Sequence, residues 1–300
     1  MIRKAVWLLQ ACCILLVSFP LALMPLSAAQ KTGQKLGLLL FSIWRSRREI
    51  AVRNLEDTIA RGSLTVSSSS EEIIRDHFRN LGRSFAEVLK IYFGFGERLI
   101  RSVAIEGIEH FQKARAKGKG VLFITGHCGN WELLAITASM RVTPIAPVAR
   151  RINNPYINSL VEKVRRRYGN RVIYKQGALR RVMQEVKKNG SVGILMDQAV
   201  IPEEGYIIDF LGRGAWTTKM PALIARKTGA AVIPAFIHRT DKGHVIRIYP
   251  AVELSANSDK DQALIEDTRQ FSSFIETYIR EHPAEWLWIH RRWKRVPEAK

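Results

Sequence analysis

Short apolar runs alternate with amphipathic stretches along the last two thirds of the chain. Their lengths fit strands and helices, respectively. The predicted strands cover residues 121–125, 143–149, 171–174, 191–196, 231–237 and 244–249. The predicted helices begin near 130 and at 155 and cover 178–189, 217–228 and 259–281. This alternation predicts an α/β fold, with a mostly parallel central sheet flanked by helices.

The first hundred residues have a different pattern, with apolar positions at helical spacing and no strand signal. Residues 49–60 fit a helix, and a long amphipathic helix follows Ser70, the predicted N-cap, with Glu71 and Glu72 in its first turn. We therefore predict a helical membrane-proximal segment at 31–102 and an α/β domain at 103–300.

Residues 1–30 contain a long uncharged stretch, which runs from Lys4 to Lys31. Its length suffices for a helix across a bilayer core of about 30 Å, so we predict an N-terminal transmembrane anchor. A cleaved signal peptide is the alternative, since Ser27 and the two alanines after it are small. However, the run exceeds the usual signal core of about 7–15 residues. Positive charge is also denser after it, which favours an uncleaved anchor with the main body on the cytoplasmic side.

Composition adds a strong positive charge. The chain has 47 Lys and Arg against 27 Asp and Glu, a formal net charge of +20. Such a surface attracts nucleic acid, anionic lipid head groups or an acidic carrier protein. Three cysteines make no disulfide framework. The absence of CxxC and HExxH patterns leaves a zinc site without support.

The chemistry concentrates directly after the first predicted strand of the sheet, where residues 126–129 read Gly-His-Cys-Gly. Sites in α/β sheets form at the carboxyl ends of strands, so His127 is placed to meet a substrate. Asn130 is a plausible cap of the next helix, and Glu132 lies in its first turn. From there its carboxylate would hydrogen-bond the imidazole and make a general-base pair. Cys128 follows His127 directly, an unfavourable geometry for a nucleophile.

This segment resembles the His-x4-Asp/Glu motif of glycerolipid acyltransferases. More narrowly, it is similar to the late lipid A biosynthesis acyltransferases, the lauroyl/myristoyl-type enzymes of the lysophospholipid acyltransferase superfamily. The resemblance runs over nearly the whole chain. Further matching segments follow in the family's order at 53–55, 154–155, 165–169, 196–198, 210–213, 217–218, 222–226 and 283–294.

The resemblance implies acyl transfer from an acyl-carrier-protein thioester to a hydroxyl of a Kdo-bearing lipid A precursor. His127 would act as the general base and Glu132 would orient it. One arginine of the pair Arg165 and Arg167 would be needed as well. The matching substrate-binding or oxyanion positions are Arg165, Arg167, Asp197, Gln198 and Arg213.

The same resemblance implies a single-pass protein of the cell inner membrane with its catalytic domain on the cytoplasmic face. Its expected partners are acyl carrier protein, an anionic glycolipid acceptor and the membrane, with no nucleic acid. We expect a monomer, and neither a metal nor a cofactor is implied.

Three other functions are compatible with parts of the sequence. A related enzyme would acylate another glycolipid, such as phosphatidylinositol mannoside, or an amino-acid lipid. A hydrolase would use His127 to activate water but needs a nucleophile or metal ligands nearby. A non-enzymatic basic protein would bind membrane or nucleic acid. The tryptophans of 283–294 fit a membrane interface or the edge of a core.

Overall fold

A computed structural model of the chain describes residues 2–296. Residue 1 and residues 297–300, the ends of the predicted anchor and of the predicted α/β domain, lie outside the described residues. Five helices precede the first strand: α1 Ile2–Leu23, α2 Leu26–Ile43, α3 Arg45–Ala60, α4 Ser70–Tyr92 and α5 Glu97–Ser102. The predicted division into three segments stays a prediction.

Strands and helices alternate after residue 103. The strands are β1 Ala104–Glu106, β2 Val121–Thr125, β3 Ile145–Ala149, β4 Ile173–Tyr174, β5 Ser191–Leu195, β6 Gly205–Phe210, β7 Arg213–Thr218, β8 Ala231–Thr240 and β9 Gly243–Ile248. The helices are α6 Ile108–Arg115, α7 Trp131–Arg141, α8 Pro155–Arg167, α9 Ala178–Lys187, α10 Met220–Thr228 and α11 Lys260–Glu281. Short 3₁₀ turns cover Pro202–Glu204 and Pro283–Glu285.

Seven of the strands form one central sheet in the order β1-β9-β8-β2-β5-β3-β4. All neighbouring pairs are parallel except β8 and β9. Strand β2 lies at the centre and is buried throughout, as expected for an all-apolar parallel strand covered by helices on both faces. Two apolar cores, one on each face, hold the helices against the sheet. The predicted α/β class with a mostly parallel sheet is confirmed.

Two local predictions are wrong. The predicted helix 217–228 begins only at Met220, because residues up to Thr218 belong to β7, which pairs antiparallel with β6. The turn of this hairpin places Leu211 at φ 53°. A leucine gives no sequence signal for a turn that requires positive φ. The cap of α4 is Ser69 rather than Ser70, in a reciprocal capping box with Glu72.

Helices α2 and α4 cross at very close range. Gly33 and Gly37 on α2 face Gly82 and Phe78 on α4, and a Cβ atom on any of the three glycines would collide with a carbonyl oxygen of the other helix. Only glycine allows two helix backbones to approach so closely. Helices α2 and α4 are therefore packed firmly against one another.

Helix α1 is the one helix within residues 2–296 that is long and apolar enough to cross a membrane, which fits an anchor. It contacts the rest of the chain along one face. The Nζ of Lys90 on α4 donates to the carbonyl oxygens of Ala22, at 2.8 Å, and of Met24, where α1 ends. The Nδ2 of Asn154 donates to the carbonyl oxygen of Trp7 at 2.8 Å. Both ends of α1 are thus hydrogen-bonded to other helices or their caps.

We expect Gly82→Ala to separate α2 from α4, because the added methyl group must displace the backbone at Gly33. Overpacking of this kind costs about 1–3 kcal/mol. Limited trypsin digestion of the detergent-solubilised protein should then cleave faster after Lys31 and Lys35. Ser84→Ala on the same helix serves as the control. Equal cleavage in both variants would contradict the close crossing.

Candidate active site

The central feature of the site is a tight turn between β2 and α7. Gly129 adopts φ 54°, and a Cβ atom there would collide with the carbonyl oxygen of Ile237. Asn130 caps α7 by accepting the N–H of Leu133 at 3.1 Å. The turn presents His127 at the carboxyl edge of the sheet, with 19% of its side chain exposed. Solvent and substrate can therefore reach the imidazole.

Asp197, which follows β5, is the carboxylate that holds this imidazole. Strands β2 and β5 are paired so that Thr125 lies opposite Leu195. His127 and Asp197 each follow two residues later, so they lie opposite one another just beyond the ends of the two strands. The Nδ1 of His127 lies 2.8 Å from Oδ1 of Asp197, and the backbone N–H of His127 donates to Oδ2 at 2.9 Å. The indole N–H of Trp286 donates to the same Oδ2 at 2.9 Å.

Asp197 remains ionised although it is only 2% exposed. Burial alone would raise its pKa, but the neighbouring His127 and the N–H groups of His127 and Trp286 hold the pKa well below its ordinary value. An ionised carboxylate can only accept hydrogen bonds, so Nδ1 of His127 carries the proton. Its Nε2 is then an acceptor, and the amide nitrogen of Gln198 lies 3.2 Å from it.

The predicted hydrogen bond between Glu132 and His127 is wrong. Both oxygens of Glu132 instead accept from Arg165, with Nε at 2.8 Å and Nη2 at 2.7 Å, and the Tyr92 hydroxyl donates to Oε1 at 2.7 Å. Such a two-point pair with arginine is a strong partner for a carboxylate. The Nδ1 of the imidazole is already bound to Asp197.

The structure thus assembles two adjacent clusters from the predicted residues. One contains His127, Asp197 and Gln198, and the other contains Glu132 and Arg165, joined by Tyr92. The two clusters are joined by the short segment 127–132, which carries His127 in the turn and Glu132 in the first turn of α7. Within residues 2–296, no group of three or more His, Cys, Asp or Glu side chains is placed to hold a metal ion.

The remaining predicted residues have contacts elsewhere. Arg167 is exposed at the end of α8, with its guanidinium 5.9 Å from the ring centre of Tyr168. Arg213 pairs with Asp57 of α3 at 2.7 Å and lies over the ring of Trp293. Neither arginine shares a contact with the two clusters among the described residues, and their predicted roles stay predictions.

Cys128 points into the core. Burial, with Asp197 and Glu285 nearby, raises the pKa of its thiol well above the ordinary value. A protonated thiol is a poor nucleophile. The acid-base chemistry that the site offers therefore centres on Nε2 of the partly exposed His127 imidazole, which Asp197 holds in one tautomer.

The C-terminal segment after α11 forms the floor of the site. The N–H of Leu287 donates to the carbonyl oxygen of His127 at 3.1 Å, and the N–H of Gly129 donates to that of Glu285 at 2.8 Å. Trp286, Trp288 and Trp293 are buried in the core. The interpretation of these tryptophans as membrane-interface residues is wrong, because they pack beneath the turn that carries His127.

A second buried carboxylate, Glu87 of α4, ties the turn to the helical segment. It accepts from Arg239 at 2.6 and 3.0 Å, from Asn130 at 2.9 Å and from Gln30 at 2.6 Å, and it lies 3.1 Å from Nε2 of His244. Burial would raise its pKa, but His244 and Arg239 lower it well below its ordinary value. Because Asn130 also caps α7, this ion pair supports the turn that carries His127.

The sequence interpretation did not identify Tyr92, Trp286 or Glu87 as parts of the site. Tyr92 and Glu87 belong to an amphipathic helix whose pattern indicates only core packing. Glu87 lies on the side of that helix opposite the apolar stripe of Ile74 and Phe78, so the sequence carried no signal for its burial.

Comparison with known proteins places the chain among acyltransferases. The model of the family "Bacterial lipid A biosynthesis acyltransferase" matches residues 3–295. The lipid A biosynthesis acyltransferase of Haemophilus influenzae is 25% identical over 280 residues, 90% of this chain and 82% of that protein. The lipid A biosynthesis palmitoleoyltransferase of Escherichia coli is 26% identical over 271 residues, 88% and 84% of the two chains.

A third relative, the phosphatidylinositol mannoside acyltransferase of Mycobacterium tuberculosis, is 25% identical over 272 residues, 83% of this chain and 84% of that protein. Among solved structures, the 1-acyl-sn-glycerophosphate acyltransferase PlsC of Thermotoga maritima aligns with a TM-score of 0.41 and 16% identity. The alignment covers 86% of this chain and 99% of the PlsC chain. That likeness is too weak to support an inference.

We expect Glu87→Ala to destabilise the protein, because Arg239 is then left buried without its counter-charge. Removing one partner of a buried ion pair costs about 3–5 kcal/mol. Thermal unfolding in detergent should show a clearly lower Tm for this variant. Glu56→Ala, which removes an exposed glutamate of α3, is the matched control. An unchanged Tm in both variants would show that Glu87 does not support the fold.

Proposed function

Since the chain belongs to the bacterial lipid A biosynthesis acyltransferase family, we propose that it transfers a fatty acyl chain from acyl carrier protein to a hydroxyl of a Kdo-bearing lipid A precursor. Acyl transfer in lipid A biosynthesis follows from the family itself. The carrier-bound thioester, the Kdo-bearing acceptor and the catalytic residues are our proposal. The observation that supports it most is the ordered pair of His127 and buried Asp197 at the sheet edge.

The proposed reaction needs one base and no acyl-enzyme. The Nε2 of His127 takes the proton of the acceptor hydroxyl as its oxygen attacks the thioester carbonyl carbon. The resulting tetrahedral intermediate collapses with cleavage of the carbon–sulfur bond. The imidazolium returns its proton to the departing thiolate, which leaves as the thiol of the carrier. Asp197 stabilises the imidazolium while it carries the extra positive charge.

The amide nitrogen of Gln198 lies 3.2 Å from Nε2 of His127. In the proposed complex the acceptor hydroxyl replaces this contact. The donor N–H of Gln198 is then available for an oxygen of the substrate. The amide of Gln198 would thus hydrogen-bond Nε2 of His127 until the lipid hydroxyl takes its place.

Of the two candidate arginines, we assign Arg165. It is held by Glu132 of the His-x4-Glu motif, whereas Arg167 is exposed on α8. Glu132 uses Nε and Nη2 of Arg165 and leaves Nη1 for a substrate oxygen. Such a cation can stabilise the negative oxygen of the tetrahedral intermediate. In this proposal Glu132 positions the arginine rather than the imidazole.

We further propose that α1 anchors the protein in the cell inner membrane, with the catalytic domain on the cytoplasmic face. Its exposed apolar side chains support the anchor, and its hydrogen bonds to Asn154 and Lys90 near both ends keep the whole helix on the side of the membrane that carries the catalytic domain. The helix would therefore lie in the cytoplasmic leaflet and would not cross to the other side. The protein would act there as a monomer on an anionic glycolipid.

A second acceptor is also supported by an observation. The phosphatidylinositol mannoside acyltransferase of Mycobacterium tuberculosis matches this chain at the same identity as the lipid A enzyme of Haemophilus influenzae. The alternative function is therefore acyl transfer to a phosphatidylinositol mannoside or a comparable glycolipid, with the same residues in the same roles.

The direct test mixes membranes that contain the protein with acyl carrier protein thioesters and a tetra-acylated, Kdo-bearing lipid A precursor. Mass spectrometry of the lipid should show a gain of one acyl chain. Parallel reactions use acyl-coenzyme A as donor and phosphatidylinositol mannoside as acceptor. Transfer only from coenzyme A would refute the carrier, and transfer only to the mannoside would establish the alternative acceptor.

We expect His127→Ala and Asp197→Asn each to lower kcat by roughly 10²–10⁴-fold, the range typical of losing a general base or its orientation. Asp197→Asn removes the charge that stabilises the imidazolium while it keeps the side-chain shape. Acyl transfer is measured by mass spectrometry, with near-ultraviolet circular dichroism to verify folding. Asp241→Asn in the exposed β8–β9 turn is the control. A folded Asp197→Asn protein with full kcat would remove Asp197 from the mechanism.

Glu132 and Arg165 should behave as one unit. We expect Glu132→Ala, Arg165→Ala and the double variant to lose similar amounts of kcat/KM, because each breaks the same pair. If Glu132 instead acted on His127, the two single losses would add in the double variant. Steady-state kinetics on all three proteins decide between these outcomes.

A further inference from the structure

Five exposed cations gather at the carboxyl edge of the sheet, outside the residues assigned above. They come from three separate parts of the chain: the ends of β3 and β4 and the segment after α11. We call them the cationic cluster, which consists of Arg150, Arg151, Lys175, Arg291 and Lys294.

The strand order places this cluster beside the catalytic histidine. Strands β2, β5, β3 and β4 are consecutive neighbours and all parallel, so their carboxyl ends lie along one edge. His127 follows β2, Arg150 follows β3, and Lys175 follows β4. With strands about 4.8 Å apart, the two cations lie about 10–14 Å along the edge from His127. A sugar head group of a few rings spans a distance of this order.

The two strand ends hold their cations side by side. Ala149 is paired with Tyr174, and the backbone N–H of Lys175 donates to the carbonyl oxygen of Ala149 at 3.0 Å. Arg150 and Lys175 are the next residues of their strands. The guanidinium of Arg151 lies over the Tyr174 ring, 4.8 Å from its centre, which keeps it at the same place.

The C-terminal segment completes the cluster. It is fixed under the turn that carries His127 by Leu287 and Trp286, and Arg291 and Lys294 follow these two residues within eight positions. The amine of Lys294 has a lowered pKa, partly through burial and partly through the positive charges of its neighbours, which include Arg150, Arg291 and Lys175. Cations from all three parts of the chain are therefore close enough to repel one another.

His290 connects the cluster to the catalytic pair. Burial lowers its pKa to about 4, and the charges of Asp197, Lys294 and His127 all act on it. His127 and Lys294 are thus both close enough to the His290 ring to act on its charge.

The five positive charges of the cluster are opposed by one carboxylate among the described residues. That carboxylate is Glu204, which pairs with Lys175 at 2.8 Å. For the other four cations, no carboxylate within residues 2–296 approaches to 4 Å. Like charges held together destabilise a free protein, and a phosphate group with about two negative charges would relieve the repulsion. Arginine and lysine are the usual phosphate-binding side chains.

We propose that the cationic cluster is a phosphate-binding subsite that holds the head-group phosphate of the acceptor lipid while its hydroxyl reaches His127. This rests on the proposed acyl transfer and adds to it the place where a phosphate of the acceptor is held. The same chemistry has a second source, the phosphodiester of the carrier's prosthetic arm. The two sources differ in which substrate's KM depends on the cluster.

The test uses the full-length double variant Arg150→Gln/Lys294→Gln. Its matched control, Lys117→Gln/Lys119→Gln, removes the same charge just before β2, at the opposite edge of the sheet. The acceptor is supplied in two forms, phosphorylated and phosphatase-treated. We expect the ratio of kcat/KM for the phosphorylated over the treated acceptor to fall at least about tenfold in the double variant, as for a lost charge-assisted contact. The control keeps the wild-type ratio.

The KM for the acyl donor shows which of the two substrates carries the phosphate that the cluster binds. An unchanged donor KM with a raised acceptor KM supports the head-group phosphate, whereas a raised donor KM alone would assign the subsite to the carrier's phosphodiester and refute the acceptor role. Equal ratios in wild type, variant and control would refute the subsite altogether. So would a variant that loses only its binding to anionic vesicles.

A binding measurement separates this proposal from the proposed reaction. Affinity of the detergent-solubilised protein for the two acceptor forms is followed by tryptophan fluorescence. If the wild type transfers no acyl chain yet prefers the phosphorylated form, and the double variant loses that preference, the subsite stands and the reaction fails. If the wild type transfers acyl chains without any such preference, the reaction stands and the subsite fails.

Discussion

The buried carboxylate of Asp197 is the interaction on which the rest of the site depends. Three N–H groups converge on it, two from His127 and one from Trp286. A charge this deep in the core is tolerated only because each oxygen has a partner. One group therefore fixes the tautomer of the base, the strand pair β2–β5 and the C-terminal segment together. Loss of any one of these contacts leaves the buried negative charge of Asp197 with fewer hydrogen-bond donors.

The acid of the family motif has a different task in this fold. Glu132 accepts hydrogen bonds from Arg165 and Tyr92, although the resemblance of the motif had implied that it would hold the histidine. The imidazole and the arginine are therefore each held by a separate carboxylate, His127 by Asp197 and Arg165 by Glu132.

Local signals predicted much of the fold, and non-local pairing could not be predicted. Strand β2 was predicted at its observed residues because an apolar run between polar boundaries is self-contained. Helix α8 begins where Asn154 and Pro155 predicted. The contact between His127 and Asp197 requires β2 and β5 to be neighbours in the sheet, although 65 residues separate these strands along the chain. The order of strands in a sheet cannot be read from a single sequence. The β6–β7 hairpin was missed because the first residue of its two-residue turn is Leu211, at positive φ, where asparagine, aspartate or glycine usually precedes the glycine.

Helix α1 is hydrogen-bonded near both ends, by Asn154 and by Lys90. A helix held in this way acts as a rigid mount and not as a flexible tether. In the membrane that we propose for it, the catalytic edge would keep a constant height and tilt above the lipid surface. Encounter with a lipid acceptor then becomes a two-dimensional search, whose rate follows the surface density of the acceptor rather than its concentration in bulk solution.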